Sequence, residues 1–251
     1  HVRNETLQIL ARDYHVRFLA PYLCRFIKEA ICANIVFLDL SLLIYSVRMV
    51  KSLMSNPYVN LKVHLHVLLP AILSCVLSRR ISKYNYDNHW TLRDFSAQVV
   101  AAICCTHSNK VNQIKTRVVR VYLEAVQDMR KPLTTLYGGL KGLSCFGEET
   151  IKTCIIPFIP AVSRRICALL EKTVYLGDTT NETKQIKHVT DLILAITGPV
   201  LLQYKNINDG GVSYVKEFGY LGYTLYSHVK NMEKIEADKK NLYSVYLFCS
   251  C

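Results

Sequence analysis

The sequence predicts an all-α protein in which helices pair and stack as repeats, and three observations predict it. The chain has 251 residues, 51% of them hydrophobic, yet it contains only 10 Gly and 7 Pro. So few chain-breaking residues argue against a loop-rich β-sandwich, and the apolar content argues against disorder. Apolar residues also recur at helical spacing along nearly the whole chain. Finally, short sequence blocks repeat at offsets in the forties.

The periodicity predicts ten helices in chain order. In the first, Phe18, Tyr22 and Phe26 belong to an apolar face at amphipathic spacing. Pro70 predicts a kink or break in the third helix, and Asp87-Asn88 gives an N-cap signal before the fourth. Polar residues predict a loop at 177–181 and a turn at 208–211. The predicted helices cover residues 18–33, 36–54, 59–82, 89–105, 110–128, 132–146, 149–171, 184–206, 212–230 and 232–249.

The helices repeat in pairs. The block that starts at Trp90 aligns with the one at Leu133, an offset of 43, and Arg48 aligns with Arg93 at an offset of 45. Periods in the forties with two helices each are typical of HEAT-type arrays, in which each pair buries its apolar face against its neighbours. The sequence therefore predicts a HEAT-like α-solenoid of about five helix pairs. The first four pairs are 18–33 with 36–54, 59–82 with 89–105, 110–128 with 132–146, and 149–171 with 184–206.

Charge and cysteine usage narrow the cellular setting. With 31 basic and 19 acidic residues, the chain carries a formal charge of +12. Such a surface attracts nucleic acid, anionic membrane or an acidic protein partner, and the charge alone does not choose between them. The ten cysteines include no C-x-x-C pair and most lie in apolar runs, which favours reduced thiols in an intracellular protein. The pattern predicts neither a signal peptide nor a membrane span.

The usual catalytic constellations are missing from the sequence. Glycines follow no phosphate-binding spacing, and His64 and His66 would lie about 200° apart on a helix, which does not suit two ligands of one metal. His89 fits a packed or capping histidine better than a catalytic one. We therefore predict a protein that is not an enzyme and that uses no cofactor, metal or small-molecule substrate.

A basic face is the best candidate for a binding surface. Helix 110–128 carries most of it, and its members are Lys110, Lys115, Arg117 and Arg120, with Lys131 beyond the helix. These side chains could meet acidic protein or phosphate, although a simply solvated face explains any single one of them better. This face motivates the alternative function, a nucleic-acid-binding helical-repeat module. A third hypothesis is another helical-repeat adaptor, such as a transport receptor.

The segment that begins at Asp87 carries a second set of candidates. Asp87 can cap the helix that follows it, while Arg93 faces the same interhelical edge. HEAT arrays use such Asp and Arg side chains as ladders between successive repeats, and the competing interpretation is a cap with an unrelated solvated arginine. Trp90, the only tryptophan, could anchor an interface, but its place in the first turn of a repeat helix favours core packing.

Two blocks resemble a known family. Asp87-Asn88-His89-Trp90-Thr91-Leu92-Arg93-Asp94-Phe95 resembles the D-N-H-W-x-L-R-D-F signature of the C-terminal HEAT domain of the TBP-associated factor 6 family. Tyr137-Gly138-Gly139-Leu140-Lys141-Gly142-Leu143 resembles its Y-G-x-x-x-G-L run. The resemblance is clearest over 17–206. It implies a HEAT-repeat domain over 1–206 and a divergent helical extension over 207–251 that packs on the last repeat.

The resemblance also implies a function. Members of this family are non-catalytic scaffolds that hold other TBP-associated subunits in the general transcription factor TFIID, and a paralogous form serves in the SAGA coactivator. The expected role is therefore in initiation by RNA polymerase II in the nucleus, with other TBP-associated factors as partners. The sequence leaves open the choice between TFIID and SAGA, self-association and a weak DNA contact.

Overall fold

The protein is all-α, as the sequence predicted. The computed structural model describes residues 2–84, 87–176, 181–204 and 210–248, and this part of the chain contains no β-strand. Short 3-10 helices occur at Leu61–His64, Ile156–Phe158 and Gly219–Leu221. The α-helices are α1 (Val2–Arg12), α2 (Val16–Phe37), α3 (Leu40–Ser55), α4 (Leu65–Leu77), α5 (His89–His107), α6 (Ile114–Gln127), α7 (Leu133–Ser144), α8 (Glu148–Cys154), α9 (Ile159–Leu176), α10 (Asn181–Tyr204), α11 (Gly211–Phe218) and α12 (Gly222–Phe248).

The chain divides into two compact units, His1–Phe146 and Gly147–Cys251. In the first unit, α2 pairs with α3, α4 with α5, and α6 with α7, which confirms the first three predicted pairs. Successive pairs then stack, because α2 packs on α4, α3 on α5, and α5 on α7. This arrangement is the helical-repeat stack that the offsets predicted. The predicted domain boundary at residue 206 stays a prediction, because contacts within one chain do not test where a family resemblance ends.

The second unit corrects two predicted helices. The helix predicted at 149–171 is interrupted after Cys154 and resumes at Ile159. Pro157 and Pro160 explain the interruption, since proline lacks the amide hydrogen that the helix ladder requires. The break predicted near residue 231 lies instead at Gly219, whose φ of 67° suits a residue without a side chain. In this unit α10 contacts α8, α9 and α12, and α11 packs on α12.

Two expectations concern the segments around these helices. Residues 177–180 of the predicted polar loop, and Asn208 and Asp209 of the predicted turn, lie outside the described residues.

Among the described helices, the stretch Glu148–Thr173 is long and apolar enough by composition to cross a membrane, with a mean hydropathy of 1.5. The sequence pattern predicted no membrane span. In the folded protein, this stretch contains the interruption between α8 and α9.

The amino-terminal half corrects three further details. Helix α1, at Val2–Arg12, was not predicted, and α4 ends at Leu77, several residues before the predicted end. Pro70 lies inside α4, which continues through it. In α2 the buried face is formed by Val16, Ala20, Cys24, Ile27 and Ile31. The aromatic side chains expected on the apolar face therefore point away from the stack.

None of the eight cysteines in the described part of the chain forms a disulfide. Cys24, Cys75 and Cys104 are buried, while the other five are partly or fully exposed. Burial raises the pKa of Cys24 to about 11 and the pKa of Cys75 and Cys104 to about 12. These three thiols are thus neutral at physiological pH and pack as small apolar groups.

Candidate functional site in the first unit

The carboxyl end of α4 is the point on which the predicted signature residues converge. A helix leaves its last carbonyl groups without partners inside the helix, and buried carbonyls need hydrogen-bond donors. Arg93 of α5 donates to the carbonyl oxygens of Val76 and Ser78, each at 2.7 Å. Two threonines at the start of α7 supply further donors nearby, and this helix end is therefore capped by two later helices.

The threonine contacts bring α7 onto α4 directly. Thr135 Oγ1 donates to the carbonyl oxygen of Leu77 at 2.8 Å, and Thr134 Oγ1 donates to that of Arg79 at 2.8 Å. Both threonines are buried. Because the contacts join residues more than fifty positions apart, they fix the register of one helix pair on the next.

Arg93 is fully buried, with 0% of its surface exposed. Its Nε also donates to Nδ1 of His89 at 3.4 Å. Burial lowers the pKa of Arg93 to about 10, so the guanidinium keeps its charge at neutral pH. A positive charge at a helix carboxyl end is favourable because the helix dipole is negative there. Arg93 therefore links α5 to the end of α4, and the interpretation as a solvated arginine is wrong.

The cap of α5 is Asn88, and the assignment of that role to Asp87 is wrong. The Asn88 side chain accepts from the amide of Thr91, at the first turn. The Asp87 carboxylate instead accepts a hydrogen bond from the Ser82 hydroxyl. Asp87 therefore secures the loop before α5, and the predicted Asp–Arg ladder is replaced by separate contacts of each side chain.

A second group of signature residues joins α5 to α7. The rings of Trp90 and Tyr137 lie 4.6 Å apart between centroids. The Tyr137 hydroxyl donates to Asp94 Oδ1 at 3.0 Å, and Lys141 Nζ lies 3.8 Å from Asp94 Oδ2. Burial raises the pKa of Asp94, against the opposing effects of Lys141 and of the Tyr137 hydrogen bond. Trp90 thus packs against its neighbouring repeat, as its position in the sequence favoured.

Gly138 and Gly142 allow α7 to approach its neighbours closely. A Cβ on Gly138 would overlap the carbonyl oxygen of Val76, and one on Gly142 would overlap the ring of Tyr122. Tyr122 is fully buried, so its ring has little room to move. These glycines bring α7 into contact with α4 on one side and α6 on the other.

The two remaining signature residues have packing contacts. Leu92 is buried, whereas Phe95 is half-buried. Lys51 of α3 places its Nζ 5.4 Å from the centre of the Phe95 ring. The signature as a whole therefore makes contacts between helices of the first unit, and each of its polar groups described above has a partner within that unit.

The predicted basic residues are dispersed. Lys110 precedes α6, and Lys131 follows α6 and donates to the carbonyl oxygen of Glu124 at 3.4 Å. Lys115, Arg117 and Arg120 lie on α6 and are exposed. At about 100° per residue, Lys115 lies roughly 140° around the helix from Arg120, so the three do not share one face. Their use in binding nucleic acid or acidic protein stays a prediction.

No group of three or more His, Cys, Asp or Glu side chains that could hold a metal ion occurs among the residues that the structure describes. Three contacts of the site could not be predicted from the sequence, those of Thr134, Thr135 and Lys141. Their partners are backbone carbonyls or a carboxylate on another helix, which no local pattern marks.

Comparisons with known proteins identify similar sequences and a similar fold. The family model of the TAF6 C-terminal HEAT repeat domain matches residues 1–160. Transcription initiation factor TFIID subunit 6 of Drosophila melanogaster is 35% identical over 239 residues, which are 94% of this chain and 39% of that protein. The SAGA complex/transcription factor TFIID complex subunit Taf6 of Schizosaccharomyces pombe is 31% identical over 172 residues, 68% of this chain and 38% of that protein.

A solved structure shows the same fold. The TAF6 C-terminal domain from Antonospora locustae superposes with a TM-score of 0.55 at 21% identity, covering 75% of this chain and 87% of that one. At this identity the likeness concerns the fold alone. The chain spans about two fifths of the length of the two relatives described above.

Proposed function

The chain belongs to the TAF6 C-terminal HEAT repeat domain family, and we propose that it is a non-catalytic scaffold subunit of the RNA polymerase II initiation machinery. Its relatives are named as subunits of TFIID, and one of them as a subunit of both SAGA and TFIID. We propose the same setting here, in the nucleus, with other TBP-associated factors as its partners.

One observation carries the proposal. The polar groups of the signature residues Arg93, Asp94 and Tyr137 form hydrogen bonds between helices. A catalytic site needs polar groups that face a substrate, whereas a scaffold needs a rigid stack with helix faces left for partners. The arrangement therefore supports a binding role for the surface and a structural role for the signature.

Affinity capture tests the proposal. The chain is fixed as bait, exposed to nuclear extract, washed at moderate salt, and the retained proteins are identified by mass spectrometry. We expect recovery of TBP-associated subunits, and their identity distinguishes TFIID from SAGA. The matched control bait is an unrelated helical-repeat protein with a similar positive charge, since charge alone retains acidic proteins.

Three results would contradict the proposal. Recovery of nucleic acid alone, with an affinity that falls steeply with salt, would favour the nucleic-acid-binding alternative. Recovery of transport cargo without TBP-associated subunits would favour the adaptor hypothesis. Equal recovery of the subunits on both baits would show that charge, and not this fold, retains them.

A further inference from the structure

Helix α2 exposes a continuous apolar row that the rest of the first unit leaves uncovered. The row, called here the α2 stripe, consists of Phe18, Leu19, Tyr22 and Phe26, whereas Val36 and Phe37 lie farther along the helix, beyond the exposed carboxylate of Glu29. Tyr22 is 74% exposed, Phe18 60% and Phe26 57%. The opposite face of the same helix is buried, so α2 cannot turn its aromatic side chains inward without exposing that face.

The exposed apolar area of the stripe is larger than that of single hydrophobic side chains scattered over a protein surface. Its three aromatic side chains together expose roughly 400 Å², taking about 200 Å² for each whole aromatic side chain. Contiguous apolar patches of several hundred Å² on soluble proteins mark binding surfaces. The row from residue 18 to residue 26 extends about 12 Å, a little over two helical turns. A row of this kind suits a partner helix that packs its own apolar face against this part of α2.

A basic groove follows one edge of the stripe. It has a volume of about 440 Å³ and is lined by Pro21, Cys24, Arg25, Lys28, Glu29, His64 and Val67. Arg25 Nε donates to Glu29 at 3.0 Å. Neither Lys28 nor His64 makes an ion pair with a carboxylate within the described residues. The groove thus offers unpaired cationic or donor groups beside an apolar surface.

Charge argues against a second copy of this chain as the occupant. The chain carries +12, and α2 carries the cations Arg17, Arg25 and Lys28 against the single carboxylate of Glu29, so two such helices repel each other. Like charges at an interface are unfavourable, whereas carboxylates on a partner would satisfy them. The same cations explain why an acidic partner fits better than a neutral one.

We propose that the α2 stripe and its groove bind an amphipathic helix of another subunit, with apolar residues facing Phe18, Tyr22 and Phe26 and acidic residues facing Lys28. The identification of the partner as a subunit rests on the proposed function, whereas its chemistry rests on the surface alone. Apolar side chains of the partner cover the stripe, and its carboxylates enter the groove. In binding of this kind, the partner helix contacts the surface through its side chains at positions i, i+3, i+4 and i+7.

Two synthetic peptides test the chemistry. Both are helical 21-residue peptides with the same apolar face, one with Glu and the other with Lys along the flanking edge. In fluorescence anisotropy, we expect the chain to bind the Glu peptide about tenfold more tightly than the Lys peptide. This ratio corresponds to a difference in binding free energy of about 1.4 kcal/mol. Equal binding of the two peptides would overturn the proposal.

Variants locate the binding. We expect Tyr22→Ser with Phe26→Ser to weaken binding of the Glu peptide about tenfold or more, as loss of aromatic anchors does. The matched control is Val111→Ser, because Val111 is 93% exposed and lies outside the stripe. Unchanged binding by the double variant, with circular dichroism showing both variants folded, would overturn the proposal. So would a dimer in sedimentation that the double variant dissociates, since the occupant would then be a second copy.

Charge reversal separates a local site from general attraction. Lys28→Glu is expected to reverse the preference between the peptides, whereas Arg117→Glu, the same change of charge on exposed α6, leaves it unaltered. Equal effects of both reversals would show that total charge retains the peptide, against the proposal.

A photo-cross-linker at Tyr22 then identifies the natural segment in nuclear extract. We expect it to label an acidic amphipathic helix of a captured subunit. Labelling of a basic or extended segment would overturn the inference alone, because the captured subunits would still support the proposed function. Capture of no subunit would contradict the proposed function, and the peptide measurements would still decide the chemistry of the stripe.

Discussion

Replacing Arg93 by methionine should destabilise the first unit by about 3 kcal/mol. The change removes two charge-assisted hydrogen bonds, each worth about 1.5–3 kcal/mol, and leaves the carbonyl groups of Val76 and Ser78 without these donors. Removal of a desolvated guanidinium offsets part of this loss, which brings the sum to about 3 kcal/mol. Methionine fills much of the same volume, so cavity formation contributes little.

Urea unfolding followed by tryptophan fluorescence measures this change. Trp90 is the only tryptophan and lies in the first turn of the same helix as Arg93, so its signal reports on the first unit. With a urea dependence of about 2 kcal/mol per molar, the midpoint should fall by roughly 1.5 M. Arg93→Lys keeps the charge but reaches only one carbonyl, and about half the shift is expected. A wild-type midpoint for Arg93→Met would refute the capping role.

Three further predictions concern contacts that α7 makes with its neighbours. Gly142→Ala should destabilise the fold by about 1–3 kcal/mol, because the added Cβ meets the buried ring of Tyr122. The control is Gly210→Ala, whose Cβ meets nothing within 4 Å and which should change stability by less than about 0.5 kcal/mol. Equal thermal midpoints for the two variants would contradict the packing argument. Tyr137→Phe should cost about 1–2 kcal/mol in urea unfolding, since its hydroxyl donates to the Asp94 carboxylate, and this cost should vanish in an Asp94→Ala background. The raised pKa of Asp94 means that its contribution to stability is present below its ordinary value of 3.8 and is lost as pH rises through the raised value. As the pH falls from 6 to 4, the wild type should therefore gain stability relative to Asp94→Asn. A difference in unfolding free energy between the two proteins that stays constant over this range would contradict the prediction.

Much of the first unit follows from local sequence. The pairs α2–α3, α4–α5 and α6–α7 are predicted by apolar periodicity and repeat offsets, because each helix carries its own pattern and each connection is short. The cap at Asn88 is a local signal of the same kind. Pro157 was a local signal too, and the break between α8 and α9 could have been predicted from it.

The contacts that lock the repeats could not be predicted in this way. Arg93 binds carbonyls 15 and 17 residues earlier, and Thr135 binds one 58 residues earlier. Backbone carbonyls carry no residue identity, so no motif announces them. The face of α2 that is buried was likewise ambiguous, because small residues such as Ala20 fit under neighbouring helices while the larger Phe18 and Tyr22 remain outside.

The shared end of α4 has a mechanical consequence. In an array whose repeats touch only through apolar surfaces, each interface bends a little and the compliance is spread along the chain. Here Arg93, Thr134 and Thr135 tie the same helix end to both α5 and α7 by directional bonds. Under an applied pull, these three helices should yield in one step at a single force, as a rigid link between more elastic segments.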